Sequence, residues 1–250
     1  MRNNTAKRKL AAGKPVSVVA PTYTSPGLVE LLGRQGYDMI FIDCEHGPAG
    51  WDAVEDMVRA AELCDVTPII RVQSHDPSTI TRALDRGAGG VQVPHVNTRA
   101  EAEAVVRHAK FAPIGHRGFA GGRSAFGEKM HDYTRRANEE TMVVVMLEEL
   151  EALQNLDDIL KTQHVDAFFV APGDLAQSMG HPGQMDHPAV QAAIDDAVKR
   201  IRAAGRAPGV LSTPVTVRRY LDLGALFLYV ALGAVLAAGT RDFLDAFPRT

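Results

Sequence analysis

The sequence has few cysteines, no long apolar run and no block of basic charge, and each shortage excludes a class of protein. Two cysteines among 250 residues, Cys44 and Cys64, cannot by themselves form a disulfide framework or a zinc site, which fits a reducing cytoplasm. No run approaches the roughly 18 apolar residues of a membrane span. The basic cluster of Arg2, Lys7, Arg8 and Lys9 lacks the apolar stretch of a signal peptide, so we expect a solvated terminus.

The remaining charge is spread along the chain, with 27 Lys and Arg residues against 30 Asp and Glu residues and a formal net charge of −3. Nucleic acid is therefore not an expected partner. No Gly-x-Gly-x-x-Gly follows the first predicted strand, and the chain contains no phosphate-binding Gly-x-x-x-x-Gly-Lys-Ser/Thr motif. The usual support for a dinucleotide or nucleoside triphosphate site is therefore missing.

Short apolar, β-branched runs alternate eight times with longer amphipathic stretches, which is typical of parallel strands joined by helices. The predicted strands are Val16–Ala20, Met39–Asp43, Pro68–Val72, Gly90–Val93, Met142–Leu147, Ala167–Ala171, Pro208–Leu211 and Leu226–Val230. The predicted helices are Leu28–Gln35, Trp51–Glu62, Ser78–Asp85, Arg99–Lys110, Leu150–Leu160, Ala189–Ala204, Thr216–Leu223 and Val235–Phe247. Eight such units without a long linker favour a closed TIM (β/α)₈ barrel, forming one domain over residues 1–250, above an open doubly wound sheet.

Glycines and prolines fall at the predicted ends of these elements. Glycines that can adopt positive φ follow four of the helices and precede four of the strands, at Gly36, Gly87, Gly205 and Gly224.

Two connections are long, 111–141, which includes the glycine-rich segment 117–123, and 172–188. Long connections in a barrel of this size are commonly functional.

Polar residues stand where the predicted strands end, and in a parallel barrel the C-terminal strand ends build the active site. Strand two ends in Asp43-Cys-Glu45-His46, strand three in Arg71, strand four in Gln92-Val-Pro-His95, strand five in Glu148-Glu149 and strand six in Ala171-Pro-Gly-Asp174. Glu148 and Asp174 lie on adjacent strands, and such carboxylates suit Mg²⁺ or Mn²⁺ with positions left open for a bidentate substrate. Alternatively, each acid caps the helix that follows it.

Arg71 and His46 supply the other reactive groups, and each also has a structural interpretation. A guanidinium suits a carboxylate or a developing enolate oxygen, although Arg71 could instead pair with Asp43 or Glu45. His46 could accept a proton directly or through a water molecule, although a single histidine is often structural. Cys44 could be a nucleophile or a small packing residue. Schiff-base catalysis needs a lysine at a strand end, and all seven lysines lie elsewhere in the prediction.

Several segments in one order and spacing resemble the metal-dependent, class II pyruvate aldolases of the HpcH/HpaI family, from about Val16 to the last helix. They are Phe41-Ile-Asp-Cys-Glu-His-Gly-Pro48, Ile70-Arg-Val72 with Asp76-Pro77, Leu84-Asp-Arg-Gly87, Val93-Pro94, Arg117-Gly118, Leu147-Glu148, Ala171-Pro-Gly-Asp-Leu175 with Met179-Gly180, and Ala207-Pro-Gly-Val-Leu211. The resemblance implies a barrel of the phosphoenolpyruvate/pyruvate type, a cofactor among Mg²⁺, Mn²⁺ and Co²⁺, and pyruvate and an aldehyde as substrates. It also implies a hexamer in which the last helix is exchanged between subunits.

The resemblance implies a role for each candidate residue. Glu148 and Asp174 correspond to the metal ligands, His46 to the general base, Asp85 to its acidic partner and Arg71 to the stabiliser of the enolate. The backbone around Pro172, Gly173 and Asp174 corresponds to the binding site of the pyruvate carboxylate, while Leu211 and Arg123 shape the aldehyde pocket. Because Asp85 ends a helix at the opposite face of its own barrel from His46, we expect this dyad to form between subunits.

Three positions depart from the family pattern, and two other functions remain open. Met146 stands where relatives often carry glutamine, Gly173 replaces a usual alanine, and Leu232-Gly-Ala234 lacks the usual aspartate. The alternatives are a carbon–carbon lyase acting on a CoA ester or dicarboxylate, and a barrel that binds metabolites without turnover. The residues at the strand ends favour the aldolase, with decarboxylation of oxaloacetate as an expected side activity.

Overall fold

The computed structural model describes residues 1–120 and 122–247 and contains eight parallel strands closed into a barrel, β1 to β8 in chain order. The strands are β1 Val16–Ala20, β2 Met39–Asp43, β3 Thr67–Arg71, β4 Gly90–Val93, β5 Met142–Leu147, β6 Ala167–Val170, β7 Pro208–Ser212 and β8 Phe227–Ala231. The predicted TIM barrel is confirmed. Gly121 of the glycine-rich segment and residues 248–250 of the predicted domain lie outside the described residues.

Twelve α-helices are present in the described part of the chain. They are α1 Thr5–Ala11, α2 Pro26–Gly33, α3 Trp51–Leu63, α4 Pro77–Asp85, α5 Arg99–Ala109, α6 Met130–Glu140, α7 Leu150–Gln154, α8 Leu156–Ile159, α9 Pro172–Ser178, α10 Pro188–Ala203, α11 Val217–Leu223 and α12 Leu232–Leu244. The long predicted connections therefore contain α6 and α9, and the helix predicted over 150–160 is divided at Asn155. No helix of these residues has the length and apolar character needed to cross a membrane.

The strands alternate between two apolar regions, which is why they read as continuous apolar runs. Val91 and Val93 of β4 pack between the sheet and the helices, whereas Met142, Val144 and Met146 of β5 fill the barrel interior. The four predicted helix-ending glycines have φ between 72° and 101°, as at Gly224 after α11, where the left-handed conformation ends the helix at little cost.

The N-terminal segment closes the N-terminal end of the barrel, which we call the base, and the expected solvated terminus was wrong. Asn4 caps α1 and donates from its side chain to the carbonyls of Gly89 and Glu140, which precede β4 and β5. Ala6 and Leu10 are buried in the barrel core. The basic residues are held by acids distant in sequence, such as Asp38, which accepts from Lys9. Local sequence contains no sign of these partners.

Candidate functional site

The C-terminal ends of the strands, which we call the mouth of the barrel, bring most of the predicted site residues together. Asp43 of β2 lies beside Arg71 of β3, and Arg71 lies beside Gln92 of β4. β5 pairs with β6, and these strands lead directly into Glu148 and into α9, respectively. The mouth therefore gathers the carboxylates, the guanidinium and the imidazoles from five consecutive strands.

Arg71 forms ion pairs with both acids that follow β2. Its Nε and one terminal nitrogen donate to the two Asp43 oxygens at 2.9 and 2.6 Å, and the other terminal nitrogen lies 3.0 Å from Glu45. Burial opposes ionisation of Asp43, but the hydrogen bonds from Arg71 and from the Glu45 and His46 amides outweigh it and lower the pKa of this carboxyl. The structural interpretation of Arg71 therefore holds, and the same pairs fix the guanidinium at the mouth.

Glu148 is the most deeply buried acid of the mouth, with 1% of its residue surface exposed. The His95 backbone amide donates to Oε1 at 2.6 Å, while no hydrogen-bond partner of Oε2 is found among the described residues. Burial raises the pKa of Glu148 to about 7, the contacts with His95 oppose the rise, and the nearby Asp174 and Glu45 add to it. The contacts with His95 therefore offset only part of the cost of burying the Glu148 carboxylate.

Asp174 is exposed and is the third residue of α9, in the first helical turn. Pro172 is the first residue of this helix and has no N–H, so the amides of Gly173 and Asp174 are the donors available from the predicted carboxylate-binding segment. The Asp174 carboxylate is close enough to Glu148 to raise its pKa by charge repulsion. The two predicted metal ligands therefore do converge at the mouth.

His95, Glu45 and Glu149 belong to the mouth but were not predicted as site residues. The His95 ring lies 3.0 Å from Glu149 and 3.3 Å from Glu148 through Nδ1, and 3.5 Å from Glu45 through Nε2. Burial opposes protonation, but these three carboxylates raise the pKa of His95. The segment Gln92-Val-Pro-His95 at the end of β4 was the available signal. The convergence of the acids on it depends on the closed barrel.

His46 lies at the mouth, but Asp85 and Arg123 of the same chain do not reach it. The His46 side chain is 69% exposed and its Nε2 lies 3.9 Å from Glu45. At the end of α4, toward the base, Asp85 accepts from Arg117 at 2.8 Å. Arg123 follows in a 3₁₀ turn and donates to both Glu62 oxygens at 2.8 and 2.9 Å. The single chain thus leaves the predicted dyad unassembled.

The interior beneath the mouth is mainly apolar. Leu211 of β7 is half-buried against the interior core, and Met146 is buried there and offers no amide. A cavity of about 320 Å³ opens where β1, β2 and β8 end and is lined by Asp43, His46 and Tyr229, among others. Burial and the adjacent Asp43 raise the pKa of the Cys44 thiol to about 11, so Cys44 is a packing residue rather than an activated nucleophile.

The arrangement of donors fits a hard divalent cation better than a soft one. Glu148 offers an oxygen without a hydrogen-bond partner in the described part of the chain, and Asp174 offers an exposed carboxylate; oxygen ligands of this kind suit hard cations. Within residues 1–120 and 122–247, no group of three or more His, Cys, Asp or Glu side chains has the geometry of a metal site. Mg²⁺ commonly takes only one or two protein carboxylates and completes its shell with water and substrate oxygens, so two ligands suffice.

Comparison with known proteins identifies the family of the chain. Residues 22–237 match the family described as HpcH/HpaI aldolase/citrate lyase. The chain is 38% identical over 247 residues to the 4-hydroxy-2-oxo-heptane-1,7-dioate aldolase of Klebsiella pneumoniae subsp. pneumoniae, covering 98% of this chain and 93% of that protein.

Solved structures agree. A HpcH/HpaI aldolase/citrate lyase family protein from Burkholderia cenocepacia J2315 has a TM-score of 0.90 and 31% identity, covering 97% of this chain and 98% of that one. A HpcH/HpaI aldolase from Desulfitobacterium hafniense DCB-2 has a TM-score of 0.86 and 26% identity, covering 97% of each chain. The similarity therefore extends over nearly the whole length of both molecules.

Proposed function

Because the chain belongs to the HpcH/HpaI aldolase/citrate lyase family and is a carbon–carbon lyase of the aldolase type, we propose that it joins pyruvate or a related 2-oxo acid to an aldehyde. We propose further that this reaction depends on a divalent metal. The products are 4-hydroxy-2-oxo acids, and cleavage is the reverse reaction. As an aldolase the protein acts on small molecules. The names of its relatives favour this activity over a lyase acting on CoA esters.

One observation carries the proposal, the convergence at the mouth of Asp174 and Glu148, whose Oε2 has no hydrogen-bond partner among the residues that the structure describes. A buried carboxylate whose pKa is raised to about 7 is destabilised unless a cation neutralises it. We infer that these two residues hold Mg²⁺, Mn²⁺ or Co²⁺. When bound, the metal acts as a Lewis acid that makes the methyl protons of the 2-oxo acid easier to remove.

The residues of the chain supply the other parts of the reaction. The amides of Gly173 and Asp174 receive the carboxylate of the 2-oxo acid. His46 accepts a methyl proton directly or through a water molecule, and Arg71, held by Asp43 and Glu45, stabilises the enolate oxygen. The methyl carbon then bonds to the aldehyde carbon, and the aldehyde oxygen takes up a proton. Loss of CO₂ from oxaloacetate gives the same enolate, so decarboxylation should accompany aldol cleavage.

Exchange of the pyruvate methyl protons with deuterated water tests the proposal without knowledge of the aldehyde. The protein should catalyse exchange with Mg²⁺, Mn²⁺ or Co²⁺ and stop when the metal is chelated, since proton removal precedes carbon–carbon bond formation. NMR of the methyl signal measures the rate. Absence of exchange with every metal would contradict the proposal and favour a barrel that binds metabolites without turnover.

We propose that Asp85 and Arg123 act at the mouth of a neighbouring subunit. They line one open cavity of about 430 Å³ that also contains Arg86. Two large aromatic side chains of the same region, Phe119 and Phe126, are 70% and 81% exposed, which is typical of surfaces that bind another protein. In this arrangement Asp85 orients the partner's proton acceptor, and Arg123 and Leu211 shape the aldehyde pocket.

Mixing two inactive variants tests the shared site. Asp85→Ala keeps His46, and His46→Ala keeps Asp85. Mixed oligomers should therefore contain some intact sites and recover part of the exchange activity that neither variant has alone. The control is a mixture of Asp85→Ala with Asp85→Ala carrying a different tag, which also reports subunit exchange. No recovery when mixed oligomers have formed would contradict the shared dyad.

The last helix supports an oligomer built by exchange. Leu236, Phe243 and Leu244 of α12 are each more than half exposed, and a largely apolar cavity of about 410 Å³ opens beside α11 and β8. We propose that the α12 of a second copy covers this surface, in a hexamer as the family resemblance implies. Phe243→Asp should lower the oligomer mass measured by sedimentation, whereas Arg241→Asp should not. An unchanged mass of Phe243→Asp would contradict exchange.

Two free cysteines support a reducing compartment, and we propose the cytoplasm. Both are free thiols, Cys44 buried and Cys64 half-buried.

A further inference from the structure

Gln92 is a polar side chain buried inside the barrel without a hydrogen-bond partner. Its neighbours in sequence, Val91 and Val93, face the helices, so its own side chain points into the interior. Only 1% of the residue is exposed, and its side-chain oxygen is fully buried. Over the described part of the chain, neither end of the carboxamide makes a hydrogen bond. An amide in this position costs folding free energy that a leucine would not.

The strand register places Gln92 immediately below the floor of the mouth. Alternate strands of such a barrel contribute four side chains to each interior layer. Gln92 shares its layer with Phe41, Phe169 and Tyr229, and the Tyr229 ring lies 4.9 and 5.9 Å from the Phe41 and Phe169 rings. The layer above it, from the odd strands, consists of Ala20, Arg71, Met146 and Leu211.

The layer that contains Gln92 can be reached from the mouth. Phe41 and Tyr229 of this layer line the 320 Å³ cavity together with Asp43 and His46, and Gln92, which does not line that cavity, lies in register with Arg71 of the mouth. The charges of Arg71 and Asp43 also act on the Tyr229 phenol, whose pKa is raised to about 12, chiefly by burial. A long side chain of this layer therefore lies within reach of a ligand that rests on the floor of the mouth.

Chemistry indicates what that ligand group is. A 2-oxo acid presents only acceptor oxygens, and the nitrogen of a carboxamide supplies two donors. Met146, in the layer above on the neighbouring strand, has no donor to offer. Rotation of the amide exchanges its nitrogen and oxygen, so the group can direct N–H toward the mouth.

We propose that Gln92 is a substrate-binding residue whose amide nitrogen donates a hydrogen bond to the 2-oxo acid held above it, a contact that Met146 cannot make. The proposal rests on the proposed function, because the ligand is the 2-oxo acid of that reaction. The bound substrate then supplies the hydrogen-bond acceptor that the Gln92 amide lacks in the free protein. Selection of a polar residue in an apolar layer follows from binding rather than from stability.

Gln92→Leu separates these roles when binding and stability are measured together. Oxalate, a planar dicarboxylate that resembles a 2-oxo acid, serves as the probe in the presence of Mn²⁺, with calorimetry as the readout. We expect an approximately tenfold or greater loss of oxalate affinity and a matching rise in the KM for pyruvate. The affinity for Mn²⁺ alone should not change, and the melting temperature of the ligand-free protein should stay the same or rise. Gln92→Met repeats the test if leucine packs poorly.

Two further variants complete the design. Met146→Gln introduced into Gln92→Leu should restore oxalate affinity, because it returns a donor to the same floor. Thr162→Val removes another buried, unpartnered oxygen, outside the barrel interior, and should leave oxalate affinity unchanged.

If Gln92→Leu binds oxalate as the wild type does, or melts at a lower temperature with unchanged affinity, the proposal is overturned. If the wild type itself binds neither Mn²⁺ nor oxalate, the proposed function fails and this inference falls with it, so the two failures are distinguishable.

Discussion

Lys110, a buried cation at the base of the barrel, is enclosed by carbonyl oxygens, whereas acidic side chains at the mouth face one another. At the base, Lys110 donates to the carbonyls of Asn138 and Thr141 at 2.8 and 2.6 Å. At the mouth, Glu148 receives one amide and lies near Asp174, which repels it. Burial disfavours the charged form at both ends, but Lys110 has carbonyl partners within the chain, whereas the mouth presents carboxylates that a bound cation would pair with.

The same contrast extends to the segments that precede the strands. Arg206 donates to the carbonyls of Leu160, Thr162 and Val165, and its guanidinium lies over the Phe168 ring. These contacts connect the segment before β6 to the segment before β7. Such contacts stabilise without chemistry. Catalytic and ligand-binding residues are expected instead where the charge of a side chain is left uncompensated, as at functional sites generally.

Removal of the buried acid at the mouth should have the largest effect. Glu148→Gln keeps the shape of the side chain but loses the charge that holds the metal, so metal-dependent exchange of pyruvate protons should fall about 10³-fold. The melting temperature of the metal-free protein should not fall, because a destabilised carboxylate has been removed. Glu149→Gln is the matched control and should lose far less activity. If Glu148→Gln instead lowers the melting temperature and retains the exchange of pyruvate protons, Glu148 is a structural residue and the role assigned to the mouth is wrong.

The corresponding change at the base should affect stability alone. Lys110→Met leaves the carbonyl of Asn138 without its lysine donor, while that of Thr141 still accepts from Lys7, and the loss should cost about 2 kcal/mol. For a protein of this size, that lowers the melting temperature by roughly 4–8 °C. The kcat of the folded variant should match that of the wild type. Lys161→Met, at an exposed lysine, is the control and should change stability by less than about 0.5 kcal/mol.

The contrast between the two ends also explains which features could be predicted from sequence. β1, β2, β4 and β5 have the predicted bounds, and the positive φ of the four glycines was correct, because these features follow from local periodicity and backbone sterics. The order of polar strand ends predicted the mouth because parallel topology brings those ends together. The family and the aldolase activity are confirmed by the relatives.

Features that depend on distant partners could not be predicted. The helix α1 read as a solvated basic terminus because Glu140, which pairs with Arg8, is 132 residues away. The position of His95 after β4 was visible in the sequence, but its contacts were not, since they come from acids that follow β2 and β5. The roles assigned to Asp85 and Arg123 stay predictions, as does the single domain, because they depend on contacts beyond one chain or on residues beyond the described ranges.

The pH dependence of stability should separate the two ends by opposite slopes. Burial, and then the charge of Lys7, lower the pKa of Lys110 from 10.5 to about 7, so between these values the unfolded chain binds more protons and stability falls as the pH is lowered toward 7. Burial raises the pKa of Glu148 from 4.5 to about 7, so in that range the folded chain binds more protons and stability falls as the pH is raised toward 7.

These two groups together predict a local minimum of stability near pH 7 in the metal-free protein, which urea unfolding across pH 5–10 would detect. Lys110→Met should flatten the alkaline side only, and Glu148→Gln the acidic side only. Excess Mg²⁺ or Mn²⁺ should remove the acidic side in the wild type, since a bound cation favours ionised Glu148, and should leave the alkaline side as it is. If the metal changes the acidic and the alkaline limbs of the stability curve equally, the two ends of the barrel are coupled. The distinction between a structural base and a ligand-binding mouth would then be wrong.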